Sequence, residues 1–259
     1  MDTNNDLAST FDIAAAAGWY SAVAGLLAGF ALVAMLLPLD REGAEVEPEG
    51  VTNAVVIFTC SFFSLLILSV SYAILAGRVG SGTVAGVAAH EQMLNGTAFG
   101  LATLLMLFGL HAILGTYGAN REAFAPARQL ILTVTSVLAP ILVLALQFSN
   151  TLDLQRFRAG GELDGIPLGL QVNLLIALTG ATAILLVATA RSRLPAGSRA
   201  PRIIAMTVLG YTFAATIWTS IGVPLLPAEI VTSAVVEHAL MGLTALGAIA
   251  VSIASWIGR

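Results

Sequence analysis

Seven long apolar runs, separated by short polar breaks, dominate this chain of 259 residues. Each run is long enough for a helix to cross the hydrocarbon of a bilayer, which takes about 20 mostly apolar residues. A membrane strand would instead show a weaker alternating pattern about ten residues long. Only 10% of the residues are charged, whereas about a quarter are charged in a soluble domain. The pattern therefore predicts an all-α, polytopic membrane protein built as a bundle of seven transmembrane helices.

The limits of the runs set the expected domain organisation. The predicted helices are 11–37, 51–77, 92–115, 130–148, 168–190, 203–225 and 230–257. The longest breaks between them, 40–50, 78–91, 151–167 and 191–202, are too short to hold a separate core. We therefore expect residues 1–259 to form a single seven-helix transmembrane domain.

The distribution of arginine predicts the orientation of the chain, because cytoplasmic loops carry an excess of basic residues. With the amino terminus outside, the outer side holds only three arginines: Arg78, Arg156 and Arg158. The cytoplasmic side then collects Arg41, Arg121, Arg128, Arg191, Arg193, Arg199, Arg202 and Arg259. We therefore expect the amino terminus outside and the carboxyl terminus in the cytoplasm. Lysine depletion with an acidic excess fits a prokaryotic cell membrane.

Lysine is absent from the whole sequence, and this absence excludes several kinds of chemistry. Seven helices with an outside amino terminus resemble the topology of rhodopsins and of G-protein-coupled receptors. A retinal Schiff base needs a lysine amine, so covalent retinal binding is excluded, as are pyridoxal phosphate enzymes. Walker-type nucleotide sites also need a lysine. The single cysteine, Cys60, excludes an internal disulfide and a cysteine zinc cluster.

The basic segment RSRLPAGSRAPR after the fifth run indicates the partners of the cytoplasmic side. A short cluster of arginines directly beside a membrane helix is typical of contact with anionic lipid headgroups. We therefore expect the lipid bilayer, and no nucleic acid, as its partner.

Ionisable residues inside the seventh run are the first candidates for function. A charged side chain at the middle of a membrane helix costs roughly 2.5 to 3.5 kcal/mol on insertion scales, so residues that persist there are functional candidates by default. Glu237 and His238 lie about seven residues into this run. Ser233 and Thr244 fall on the same helical line as Glu237 at 100° per residue. This polar stripe predicts a surface that faces protein or water rather than lipid.

A second pair of ionisable residues precedes the third run, on the same side of the membrane as Glu237. His90 and Glu91 form a His-Glu pair that could face the Glu-His pair of the seventh run, with Asp12 of the first run beside them. Clustered carboxylates and imidazoles form sites for protons or divalent metals. The candidate metal ligands are therefore His90, Glu91, Glu237 and His238. The alternative is that His90 and Glu91 cap the third helix at the headgroups.

Glycine and proline predict where the helices approach each other or deform. Gly25 and Gly29, and likewise Gly96 and Gly100, have the G-x-x-x-G spacing that lets helix backbones come close. Pro140 lies inside the fourth run, where it frees a carbonyl and should kink the helix near Ser136 and Gln147.

Three functions remain open at this level. The first is a channel or carrier that moves protons or small ions along a polar path through Ser233, Glu237, His238 and Thr244, with His90, Glu91 and Asp12 near its outer end. The second is a structural or assembly subunit of a larger membrane complex, or a homo-oligomer, in which hydroxyl stripes and glycine seams are docking surfaces. The third is a membrane-embedded metalloenzyme. Apart from covalent retinal, the sequence leaves the cofactor unknown.

Overall fold

A computed structural model describes residues 13–37, 48–78, 83–115, 124–160, 163, 165–194, 197 and 199–257. These residues form an all-helical structure with seven helices long and apolar enough to span a membrane, which confirms the predicted fold class at that level. The helices are α1 Ile13–Leu36, α2 Pro48–Arg78, α3 Thr83–Gly115, α4 Ala125–Ala159, α5 Leu168–Thr189, α6 Arg199–Leu225 and α7 Ala234–Ile257. A short helical turn, Ala228–Val231, precedes α7.

Helix α3 lies at the centre of the bundle and contacts α1, α2, α4, α6 and α7. The outer helices have fewer neighbours, since α1 packs mainly on α2, and α5 packs on α4 and α7. Large apolar side chains cover the outside. Trp19, Leu168, Leu225 and Val235 are each at least 75% exposed, as expected for residues that meet lipid.

The polar side chains are turned inward. Most buried polar or charged residues lie on three helices, α3, α4 and α7, where these helices pack against one another. Inside a membrane a polar side chain gains most by bonding to a neighbouring helix, because lipid offers it no partner. The contact of α3, α4 and α7 is therefore the place to look for a functional site.

Two helix ends lie far beyond those predicted from hydropathy, by nine residues at the start of α3 and by eleven at the end of α4. Helix α3 begins at Thr83, so the prediction that His90 and Glu91 cap this helix is wrong. Both residues lie more than one turn inside it and are buried. The helix forms earlier because residues 83–91 are small or helix-compatible and Ala88 and Ala89 pack in the interior.

Helix α4 continues to Ala159, so the predicted loop from residue 151 is wrong over its first nine residues. Gln147, Thr151, Leu154 and Gln155 recur at helical spacing and are all buried, and this packing extends the helix past its most apolar part. The helix ends at Gly160, whose φ of +73° is the left-handed conformation that glycine adopts at helix ends.

Helices α4 and α6 each contain one wide π turn just before a proline. The π turn Val134–Leu138 precedes Pro140, and the π turn Trp218–Gly222 precedes Pro224. A proline has no N–H to donate to the carbonyl four residues earlier, and π turns are a common response to such a break. In α4 that carbonyl belongs to Ser136, and Ser252 of α7 donates its hydroxyl to it at 2.6 Å. The predicted opening at Pro140 is thus filled by a neighbouring helix.

The G-x-x-x-G pair of α3 faces α4. A Cβ at Gly96 would lie 2.8 Å from Asn150 Nδ2, and one at Gly100 would lie 2.7 Å from Val143 Cγ1. In α1, a Cβ at Gly25 would meet Ser69 at 3.2 Å, whereas Gly29 has open space around it. Close helix approach, as predicted from the spacing, therefore occurs at three of these four glycines.

Candidate functional site

Glu237 is fully buried near the start of α7, where α4 and α5 pack against it. Gln155 of α4 donates from Nε2 to both carboxylate oxygens, at 3.0 and 2.9 Å. Asn173 of α5 donates from Nδ2 to Oε1, and Arg158 of α4 forms an ion pair through Nη1 with Oε2. Three helices thus converge on one carboxylate, which accepts hydrogen bonds from two amides and one guanidinium.

Arg158 connects this carboxylate to the entry of α7. Its Nε donates to the carbonyl of Thr232 at 2.7 Å, while Nη1 pairs with Glu237. Its Nη2 is buried without a partner among the described residues, although 24% of the side chain is exposed. The guanidinium therefore lies between the buried site and the surface, with one donor free.

His238 joins the site through Asn173. The two atoms Asn173 Oδ1 and His238 Nδ1 are 2.7 Å apart. A carboxylate only accepts hydrogen bonds, so Asn173 must turn its NH₂ group to Glu237 and its oxygen to His238. His238 therefore donates from Nδ1. We call Glu237, Arg158, Gln155, Asn173 and His238 the Glu237 cluster.

The sequence indicated Glu237 and His238, but not Gln155 or Arg158, because that stretch of α4 was predicted to be a loop. A signal for them does exist. Gln147, Thr151, Gln155 and Arg158 follow each other at intervals of four, four and three residues, which puts all four on one face of a helix. A polar face at helical spacing, directly after an apolar run, indicates a helix that continues inside a protein core.

Ser233 and Thr244, the other predicted members of the stripe on α7, have different environments. Ser233 lies just before α7, and its hydroxyl accepts a hydrogen bond from the backbone N–H of Val236 at 3.4 Å, as a helix cap does. Thr244 is fully buried, with its hydroxyl oxygen 2.7 Å from that of Thr97 on α3. Thr244 is therefore a buried polar residue further along α7 than Glu237, whereas Ser233 caps the start of the helix.

The second predicted pair does not share partners with the Glu237 cluster. Glu91 forms an ion pair with Arg78 of α2, and the atoms Oε1 and Nη1 are 3.4 Å apart. His90 is buried, and neither ring nitrogen has a hydrogen-bond partner among the described residues. Asp12 lies outside the described residues. The part of the chain that the structure describes holds no group of three or more His, Cys, Asp or Glu residues arranged for a metal ion.

A chain of amides lies between α3 and α4, one level below the cluster. Gln147 Nε2 donates to the carbonyl of Met93 at 3.0 Å, Asn150 Nδ2 donates to Gln147 Oε1 at 3.1 Å, and Gln92 Nε2 approaches Asn150 Oδ1 at 3.4 Å. We call these three side chains the amide relay. Sequence reasoning had noted only Gln147, in connection with Pro140.

The direction of the amide relay is fixed at one end. The carbonyl of Met93 can only accept, so Gln147 must offer it the NH₂ group and present its own oxygen to Asn150. Asn150 uses its NH₂ group to donate to Gln147, so its oxygen faces Gln92. Gln92 must therefore present its own NH₂ group to Asn150. The oxygen of Gln92 is then left over, and it is buried without a partner among the described residues, as is that of Asn95 one turn later. The relay thus ends in one free acceptor oxygen, that of Gln92.

An apolar layer separates these polar levels from the other half of the bundle. Between Thr244 and Ser252, α7 presents small residues to large apolar side chains. A Cβ at Gly247 would lie 2.7 Å from Leu101 of α3, and Leu144 of α4 packs in the same region of α7. The next polar contact, from Ser252 to the carbonyl of Ser136, lies beyond this layer.

Comparison of the chain with protein-family models, with curated proteins and with solved structures finds no match. Its function has therefore to be inferred from the chemistry of the buried groups. A buried carboxylate that is paired with a partly exposed arginine can exchange that partner for a proton or a small cation. Free acceptor oxygens can bind a donor or a cation.

Proposed function

We propose that this protein carries protons or small cations across the membrane, with Glu237 as the principal binding group. The observation that carries the proposal is the complete burial of Glu237 against Arg158 at the contact of α4, α5 and α7. A buried charge pair contributes little net stability, because desolvation offsets most of the attraction. Retention of such a pair inside a membrane favours a role in function.

The pair gives a simple exchange mechanism. A proton that binds Glu237 removes the negative charge that holds Arg158, and the guanidinium can then turn toward the surface, since 24% of the Arg158 side chain is already exposed. Loss of the proton restores the pair. Because Arg158 also donates to the carbonyl of Thr232, its release loosens the entry of α7 at the same time. Occupancy of the carboxylate is thereby coupled to the packing of two helices.

The apolar layer favours a carrier over an open channel. Below Thr97 and Thr244, the residues Leu101 and Leu144 fill the contact of α3, α4 and α7. An ion cannot cross such a layer without a polar partner, so transport requires the helices to move. The wide π turn of α4, which lies beyond this layer, is a place where α4 can change its shape.

The orientation with the amino terminus outside belongs to the proposal. Each of the three arginines assigned to the outer side forms an ion pair with an acidic residue: Arg78 with Glu91, Arg156 with Asp153 and Arg158 with Glu237. The other side carries the remaining eight of the eleven arginines of the sequence, and this excess supports the assignment of the Glu237 side as the outer face of a prokaryotic cell membrane. The Glu237 cluster then opens outward.

The test is proton flux in liposomes that contain the purified full chain and a trapped pH indicator. Proton entry is driven by a potassium diffusion potential. For Glu237→Gln we expect flux to fall by about tenfold or more, since a factor of ten corresponds to only about 1.4 kcal/mol in the barrier. Glu229→Gln is the matched control, because Glu229 is an exposed acidic residue just ahead of α7.

A neutral residue at position 237 leaves Arg158 without its partner, so the single variant can lose stability. The double variant Glu237→Gln with Arg158→Gln removes both charges and keeps the amide contacts possible. If this variant folds and its flux equals that of the wild type and of Glu229→Gln, the pair has a structural role, as in an assembly subunit, and the transport proposal is wrong.

A further inference from the structure

A pocket of about 340 Å³ lies where the end of α2, the first turns of α3 and the end of α6 meet. Most of its wall is apolar and includes Leu75, Val223 and Leu226. Its charged residues are Arg78 and Glu91. The pocket shares no residue with the Glu237 cluster, so its ligand can be tested separately from the proposed role of Glu237.

The ion pair in this pocket is loose and asymmetric. Arg78 and Glu91 are joined by one contact of 3.4 Å, longer than the 2.7–2.9 Å of a good charge-assisted hydrogen bond. The Arg78 side chain is 44% exposed at the end of α2, whereas that of Glu91 is 6% exposed. Most N–H groups of the guanidinium are therefore available to a ligand, and a buried carboxylate lies next to it.

These two charges restrict the chemistry of the ligand. An anion alone would be attracted by the guanidinium of Arg78 but repelled by the carboxylate of Glu91. A cation alone would be attracted by Glu91 but repelled by Arg78. A zwitterion satisfies both charges, with its acidic group on Arg78 and its ammonium group on Glu91. The apolar wall requires that an apolar body be attached to these groups.

The surroundings of the pocket indicate where such a ligand comes from. Ile74, Ile221 and Leu225, which neighbour the lining residues along α2 and α6, are large apolar side chains between 42% and 78% exposed. Such a surface faces lipid, while Arg78 at the helix end lies at the level where phosphate groups are found. The pocket therefore opens at the boundary between hydrocarbon and headgroups.

We propose that this pocket binds a phospholipid with a primary ammonium headgroup, phosphatidylethanolamine or a lipid of equivalent chemistry. Its phosphate lies against Arg78 and its ammonium donates to Glu91. The first carbons of the acyl chains cover Leu75 and Leu226. The volume, near the lower end of the range for ligand pockets, suits a headgroup rather than a large cofactor.

The test is lipid retention by the detergent-solubilised full chain, measured by native mass spectrometry during titration with defined lipids. We expect phosphatidylethanolamine to bind about tenfold tighter than phosphatidylglycerol, which has no ammonium group. Phosphatidylcholine should also bind less tightly, because its trimethylated ammonium has no N–H to donate to Glu91.

Two charge variants and one space-filling variant locate the site. Glu91→Gln should abolish the preference for phosphatidylethanolamine, whereas Arg78→Gln should weaken the binding of all three lipids, because each carries the phosphate. Ala88→Leu, at a buried residue of the pocket wall, should reduce lipid retention without a change in charge. Arg156→Gln is the matched control, because Arg156 pairs with Asp153 away from the pocket. Its lipid preference should equal that of the wild type.

Two results would overturn the proposal. One is equal retention of the three lipids by the wild type, an unchanged preference in Glu91→Gln, or unchanged lipid retention in Ala88→Leu and Arg78→Gln. The other is full displacement of the lipid by soluble phosphoethanolamine at equal concentration, because the pocket would then recognise a free zwitterion without need of the acyl chains. Neither result bears on proton flux, which depends on Glu237.

Discussion

Gly96 occupies a position on α3 where a larger residue would collide with the amide relay. A Cβ at this position would lie 2.8 Å from Asn150 Nδ2 and 3.2 Å from Gln147 Oε1. These two atoms bond to each other within α4, and the other ends of the same two side chains bond to α3, so neither side chain can move aside without losing a partner. Because Gly96 has no side chain, α3 and α4 can come close enough to form this polar contact.

This contact predicts a clear difference between two glycines of the same spacing pattern. Gly96→Ala should destabilise the protein by about 1–3 kcal/mol, as overpacking generally does, and lower the apparent Tm by several degrees. Gly29→Ala should leave the Tm unchanged or raise it slightly, since nothing lies within 4 Å of its Cβ position. Thermal unfolding of both variants in the same detergent checks this. Equal Tm values for the two variants would mean that the side chains of the amide relay can rearrange around the added methyl group without loss of stability.

At this scale the sequence indicates which residues are unusual but not what they contact. Glu237 stands out because a carboxylate inside an apolar run is costly. Its partners Gln155, Arg158 and Asn173 come from 64 to 82 positions away along the chain, and no local pattern connects them to it. The predicted meeting of the two His and Glu pairs failed for the same reason, since Glu91 has its partner on α2.

Helix α4 owes its shape to two features, a wide turn before Pro140 and a polar extension after Phe148. The first joins it to α7, because Ser252 donates to the carbonyl that the proline leaves without an N–H. The second carries Gln155 and Arg158 to Glu237. One helix therefore contacts α7 on both sides of the apolar layer.

The bond from Ser252 predicts a non-additive pair of substitutions. Ser252→Ala leaves the carbonyl of Ser136 buried without a donor and should cost about 1–3 kcal/mol. Adding Pro140→Ala supplies an N–H to this carbonyl, so the double variant should be more stable than Ser252→Ala alone. Ser255→Ala is the control, because Ser255 bonds within its own helix. Chemical unfolding of the wild type, Ser252→Ala, Pro140→Ala, the double variant and the Ser255→Ala control measures the coupling, and strictly additive effects would contradict it.

The number and type of helices were predictable from hydropathy, whereas two of their ends were not. Hydropathy measures how far a segment resembles lipid, so the predicted helix 168–190 matches α5 to within one residue at each end. It fails at the start of α3 and the end of α4, where a helix continues among protein side chains instead of lipid. At the end of α4, the useful signal is the helical spacing of Gln147, Thr151 and Gln155, not their polarity.

The bundle has lipid-compatible residues on its outside and polar groups inside, along the contact of α3, α4 and α7. This distribution is the reverse of that in a soluble protein. In the proposed orientation, the side that carries the Glu237 cluster faces the outside of the cell. The loop after α5 and the turn before α7 should then lie on opposite sides of the membrane, because α6 separates them.

Cysteine labelling checks this orientation. Ser192 and Glu229 are both exposed, one after α5 and the other in the turn before α7, and the natural Cys60 is buried. In intact cells, a membrane-impermeant maleimide should label Glu229→Cys but label Ser192→Cys only after permeabilisation. The wild type is the control for background at Cys60. The opposite labelling pattern would reverse the orientation and place the Glu237 cluster on the cytoplasmic side.

The fixed direction of the amide relay also determines the sign of the charge that its free end can bind. Its three members can reverse only together, and reversal would turn an oxygen toward the carbonyl of Met93, which repels it. The end at Gln92 therefore always offers electron pairs. We therefore expect this oxygen to favour a cation such as hydronium, ammonium or an alkali ion over chloride.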